Sequence, residues 1–139
     1  MKTRLLWIAC GLLLTLALTG CAGAEAIVLP DAAEVTAVRV TAGDAVTLRT
    51  DRAWIEGFLQ QAAEAVSTGG ESVQDAPDQR GAVRVELGTG EPPDWSVLYV
   101  YEADGACCLE QPYAGIYQGD EALWTFLASG AVPEGRDPR

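Results

Sequence analysis

One stretch of this chain is patterned for a long helix and nearly every other apolar stretch is patterned for a strand, which narrows the folds open to it. Trp54, Ile55, Phe58, Leu59, Ala62, Ala65 and Val66 recur at the three-and-four spacing of a single helix face. Asp51 stands ahead of them as an N-cap, able to accept from the free N–H groups of the first turn. Gly57 costs such a helix about 1 kcal/mol relative to Ala, too little to cancel its apolar face, and Thr68-Gly69-Gly70 is expected to end it. Elsewhere the period is two. Val35 to Val40 and Ala45 to Leu48 flank a turn at Ala42-Gly43-Asp44, and Val83, Val85 and Leu87 alternate with Arg84 and Glu86. Within Val97 to Glu102, Leu98 and Val100 oppose Val97, Tyr99 and Tyr101, and Asp104-Gly105 reads as a hairpin turn into Cys107-Cys108-Leu109. Residues 69–81 and 88–94 read as loops. Asp120 caps a short final helix carrying Leu123, Trp124 and Leu127, stopped by Gly130. These elements predict an α+β fold, a mainly antiparallel sheet of about five strands with one long and one short helix packed on one face.

The first 21 residues carry a different signal. Lys2 and Arg4 precede an apolar run from Leu5 to Leu18, long enough for a signal-peptide core and short of the ~20 residues needed to span a bilayer. The closing Leu18-Thr19-Gly20-Cys21 resembles the lipobox of bacterial lipoprotein precursors. That resemblance implies loss of residues 1–20, lipidation of Cys21, and attachment to the extracytoplasmic face of the cell membrane. Two acyl chains on Cys21, at about 0.8 kcal/mol for each buried CH₂, make a stable anchor where one chain does not. The expected organisation is a signal peptide over 1–20, a lipidated Cys and tether over 21–33, a single α+β domain over 34–129 and a mobile tail over 130–139.

Without its first 20 residues the chain has seven arginines against twenty acidic residues, a formal −13, with no Lys and no His. Such acidity speaks against nucleic acid, because no basic row is present to neutralise phosphates. It also leaves membrane attachment to the lipid rather than to surface charge. Lack of His removes the Ser-His-Asp triad, the Cys-His pair, His-ligated zinc and an imidazole base. No metal site, cofactor or enzymatic activity is expected.

Four constellations remain. Cys107 and Cys108 are adjacent, so on a strand their thiols point to opposite faces, which disfavours a vicinal disulfide; packing thiols, a disulfide and a redox or metal role stay open. Glu110-Gln111-Pro112-Tyr113-Ala114-Gly115-Ile116-Tyr117 is punctuated by Pro112, which fixes φ, and Gly115, which permits a positive φ. It reads either as a latch covering the sheet or as a binding edge presenting Glu110, Tyr113 and Tyr117. Ser72-Val73-Gln74-Asp75-Ala76-Pro77 reads as a turn whose Ser and Asp bond nearby backbone, since nothing supplies Ser72 with a base. Glu86, Glu102 and Glu110 fall on neighbouring strand segments, where the default is a solvated outer face.

The Glu110-Gln111-Pro112-Tyr113-x-Gly115-Ile116-Tyr117 stretch resembles a signature of small bacterial lipoprotein domains classed only as a domain of unknown function. Ile27-x-Leu29-Pro30, Trp54-Ile55-x-x-Phe58-Leu59, Thr68 with Ser72-Val73-Gln74-Asp75-x-Pro77, and Leu98-Tyr99-Val100-Tyr101-Glu102 agree with it in order. Where that family tends to carry aromatics ahead of the motif, this chain has Cys107-Cys108. The resemblance implies the fold and the location and carries no activity. The favoured expectation is a membrane-tethered binding or accessory module for a protein, peptide or envelope component, with Tyr99, Tyr101, Tyr113 and Tyr117 on one aromatic side and Glu110 beside them. The alternative is a small carboxylate-dependent hydrolase of cell-envelope material, which needs two free carboxylates in one pocket.

Overall fold

A computed structural model describes residues 25–131, so Cys21, the signal segment and the tail from Val132 lie outside the described residues. Seven strands form one antiparallel sheet with two helices on one face. The elements are β1 (Val35–Ala42), β2 (Ala45–Arg49), α1 (Arg52–Ala63), β3 (Val66–Gly70), β4 (Val83–Thr89), β5 (Asp94–Ala103), β6 (Ala106–Gln111), β7 (Gly115–Gln118) and α2 (Glu121–Ala131). The sheet order is β2-β1-β4-β5-β6-β7-β3, so β2 and β3 are its edges.

The α+β class and the antiparallel sheet stand as expected, but seven strands replace about five. The two additions are β3 and β7, which pair with each other at the far edge. The long helix stops at Ala63, where the N–H of Ala65 turns back to the carbonyl of Ala62. Val66 to Gly70, expected as the end of that helix, therefore emerges as a strand, consistent with β-branched Val66 and Thr68. At the other helix Gly130 is no stop, since α2 runs to Ala131. Both expected caps hold. Asp51 accepts from the Trp54 N–H at 3.1 Å and Asp120 from the Ala122 N–H at 2.8 Å.

The core lies between sheet and helices. Val38, Val40, Val85, Leu87, Leu98, Val100 and Leu109 meet Ile55, Phe58 and Leu59 of α1 and Leu123 and Leu127 of α2. Each large side chain so buried is worth roughly 1.5–3 kcal/mol. Trp54 stacks on Phe58 at 5.6 Å and meets Phe126 at 5.3 Å, which joins the two helices. Among the described residues no helix is long and apolar enough to cross a membrane.

Candidate functional site

Because core side chains take the even positions of β5, its odd positions and their cross-strand partners line the face away from the helices. The register aligns them in rows: Thr41, Arg84, Tyr99 and Glu110; Arg39, Glu86 and Val97; Gly88 and Trp95; Tyr101 and Cys108. This helix-free face divides into two halves.

The half over β6 and β7 is closed by residues 71–82, the strap between β3 and β4. Glu110 is only 3% exposed, yet among the described residues no cation forms an ion pair with it. Its carboxylate accepts from the Ser72 hydroxyl at 2.7 Å and from the Tyr101 hydroxyl at 3.1 Å, which satisfies both oxygens in place of water. Burial first, and then the bond to Glu110, push the Tyr101 phenol up to about 12. A second clasp lies at the rim, where Tyr113 donates to Asp75 at 2.8 Å. That bond holds the Tyr113 phenol above its ordinary range. Tyr113 occupies the third position of a turn closed by the Ala114 N–H to the Gln111 carbonyl at 3.0 Å, with φ of +59°. A positive φ there marks a type II turn behind Pro112, and it falls on Tyr113 rather than on the expected Gly115. Gly115 serves otherwise, since a Cβ on it would meet the Tyr117 hydroxyl at 3.3 Å.

Among the described residues no strap covers the half over β1, β4 and β5. Glu86 bridges Arg39 at 3.3 Å and Arg84 at 3.2 Å, and the Arg39 guanidinium lies 4.4 Å over the Trp95 ring. Trp95 can lie flat because Gly88 faces it; a Cβ on Gly88 would stand 2.9 Å from the ring. Trp95, Val97 and Tyr99 are each partly exposed. Two guanidiniums around one carboxylate leave a net positive charge beside aromatic surface, in a chain that is otherwise strongly acidic.

The sequence-predicted residues thus scatter. Tyr99 and Tyr101 share the helix-free face, but Tyr101 is buried beneath the strap with Glu110, while Tyr117 points to the helix side against the core. Tyr113 alone of the four tyrosines is exposed, at 67%. No single aromatic patch joins them. Ser72 and Asp75 do not close a local turn onto backbone; they reach 38 residues along the chain to Glu110 and Tyr113. Neither Glu86 nor Glu110 is solvated, whereas Glu102 is exposed.

Cys107 and Cys108 are both free thiols. Cys107 faces the core and Cys108 the opposite side, as strand alternation requires. Burial first, then the neighbouring Cys108, push the Cys107 thiol up to about 11; burial and Asp104 raise Cys108. Raised thiols are poor nucleophiles and poor metal ligands near neutral pH. Among the described residues no three His, Cys, Asp or Glu side chains converge on a metal-sized site. Arg39 and Trp95 were not anticipated from sequence. Extending the period-two pattern of Val97 and Tyr99 back by one step would have found Trp95.

Fold and site together define a small α+β domain built on one antiparallel sheet, helix-covered on one face and half-strapped on the other. The chain belongs to the DUF5301 family, described as a domain of unknown function (DUF5300), which matches residues 23–118. An NMR structure of a protein from Ruminococcus gnavus shares the fold at 23% identity and a TM-score of 0.59, covering 68% of this chain and 91% of that one. No curated protein matches the chain.

Proposed function

We propose that this chain is an extracytoplasmic lipoprotein, anchored through Cys21, whose domain is a non-enzymatic binding or accessory module that works through the uncovered half of its helix-free face. The observation that carries this reading is the cluster of Arg39, Trp95, Val97, Tyr99 and Arg84 around Glu86, side by side and only partly buried. Partly exposed aromatics beside guanidiniums are the residue types enriched where partners bind. A protein, peptide or envelope component with a flat apolar part and an anionic group would suit that surface. Tyr99 remains in the contact set and Trp95 joins it; Tyr101 and Glu110 hold the strap instead. Binding is favoured over hydrolysis because Glu86 and Glu110 are each engaged already, the first by two arginines and the second by two hydroxyls. The match from residue 23 onward leaves Cys21 just outside the family domain, free to carry lipid without disturbing the sheet.

Two measurements test this. Cys21→Ala should release the protein from membranes into the soluble fraction, and membrane retention would remove the anchor. The lipidated protein used as bait in solubilised membranes should hold a partner that a folded Trp95→Ala/Tyr99→Ala variant loses and a Val73→Ala variant keeps. Equal capture by all three would sink the face as the binding surface.

A further inference from the structure

The two edges of the sheet are finished differently. At β3 the register shifts between Ser67 and Gly70, Ala26 bridges to Val66, and the Ser67 N–H donates to the Glu25 carbonyl at 2.8 Å. A bulge and a covering segment are common ways of protecting an edge strand. At β2 neither is present among the described residues. Ala45 to Arg49 pairs with β1 in unbroken register, it carries no Pro or Lys, and among the described residues no strand pairs with its outer side. Val46 and Leu48, on the helix-free face, are 63% and 58% exposed.

We propose that β2 is a self-association edge, on which two copies of this chain pair β2 with β2, antiparallel, about a two-fold axis through Thr47. The hydrogen-bond parity allows it. Gly43-Asp44 is a two-residue turn closed by Ala42 and Ala45, so the main-chain groups of Ala45, Thr47 and Arg49 point to β1 and those of Val46 and Leu48 point outward. A symmetric partner therefore sets Val46 against the second copy's Leu48 as a hydrogen-bonded pair, and the two-fold axis repeats that pair. Thr47 meets its own copy at the close, non-hydrogen-bonded position, where Thr–Thr pairs are favourable.

The side chains agree with this register. Val46 and Leu48 of both copies would form one apolar group on the helix-free face, covering what is now the most exposed apolar pair of the sheet's strands. Arg49, whose guanidinium lies 5.4 Å over the Trp54 ring, would stand opposite Ala45 of the second copy, so no like charges face each other across the strand pair. The axis runs perpendicular to the sheet, which puts both helix-free faces on the same side. A ligand with repeated groups could then engage two Trp95 clusters at once. This goes beyond the proposed binding face and fails separately from it, because edge variants leave Arg39, Trp95 and Tyr99 in place.

Thiol trapping of the full chain purified in detergent tests the pairing. Under mild oxidation, Thr47→Cys should become a disulfide-linked dimer as the main product, well above wild type with its own cysteines and above Val73→Cys, whose exposed thiol reports random collision. Adding Val46→Lys to Thr47→Cys should abolish the dimer, and circular dichroism should confirm that this variant folds, as expected for a substitution at so exposed a site. Trapping of Thr47→Cys no better than of Val73→Cys overturns the proposal. So does a dimer that persists with Val46→Lys.

Discussion

Glu86 and Glu110 share one face of one sheet, at 7% and 3% exposure, and are stabilised in opposite ways. Glu110 is held by two hydroxyls under the strap; Glu86 is held by two half-exposed guanidiniums. The Ser72 hydroxyl is short and the Tyr101 hydroxyl rides on a rigid, buried ring, so the strapped half behaves as part of the core. Arginines are long and, with side chains 39% and 46% exposed, can swing toward water or a ligand at little cost. The two halves are therefore expected to answer substitution differently: the strapped half in stability, the open half in recognition.

The largest effect is expected at Glu110. Glu110→Ala strands the Ser72 and Tyr101 hydroxyls away from water, and urea unfolding should show a loss of about 2–4 kcal/mol. A loss below about 1 kcal/mol would mean that the strap is not fastened there.

Alkaline pH should act next, on the strapped half through Tyr101 and on the core through Cys107. The Tyr101 phenol sits at about 12 in the folded protein against 10.0 ordinarily, and the Cys107 thiol at about 11 against 9.0. Both are raised, so the folded state binds protons more tightly than the unfolded state does. Their stabilisation is complete below pH 9.0 and is lost as pH rises to about 12. Unfolding midpoints should fall across that window, and Tyr101→Phe should flatten its upper part. A wild-type midpoint independent of pH there would place Tyr101 in contact with water.

A smaller and local effect is expected at the rim. Tyr113→Phe removes the bond to Asp75 but leaves the Glu110 clasp intact. Amide exchange over residues 71–82 should quicken a few-fold while β4 and β5 stay protected. Equal quickening of β4 would show that the two clasps form one cooperative unit.

The smallest effect is expected at Glu86. Glu86→Gln should change stability by less than about 1 kcal/mol, because the amide oxygen can still accept from one guanidinium and the half-exposed Arg39 and Arg84 can donate to water. It should nevertheless alter capture of a partner at the Trp95 cluster. A large loss of stability would make the open half as rigid as the strapped one.

Sequence alone determined whatever depends on near neighbours. The spacing from Trp54 to Ala62 specified a helix, Asp51 and Asp120 its kind of start, and Asp104-Gly105 a hairpin whose two residues both adopt positive φ. Alternation correctly sent Cys107 and Cys108 to opposite faces. Tertiary structure decided the rest. Val66 to Gly70 and Gly115 to Gln118 are short and glycine-bearing, and they are strands because each supplies the other's hydrogen bonds across about fifty residues of chain. Glu110 read as a solvated acid because burial of a carboxylate depends on partners that no local pattern announces. Tyr101 becomes a partner when β5 pairs with β6, and Ser72 only when the strap crosses the sheet. Tyr117 and Tyr113 part company for a similar reason: strand register turns one to the core, and the turn behind Pro112 holds the other at the rim. Local energetics select elements, while long-range pairing selects which face each side chain serves.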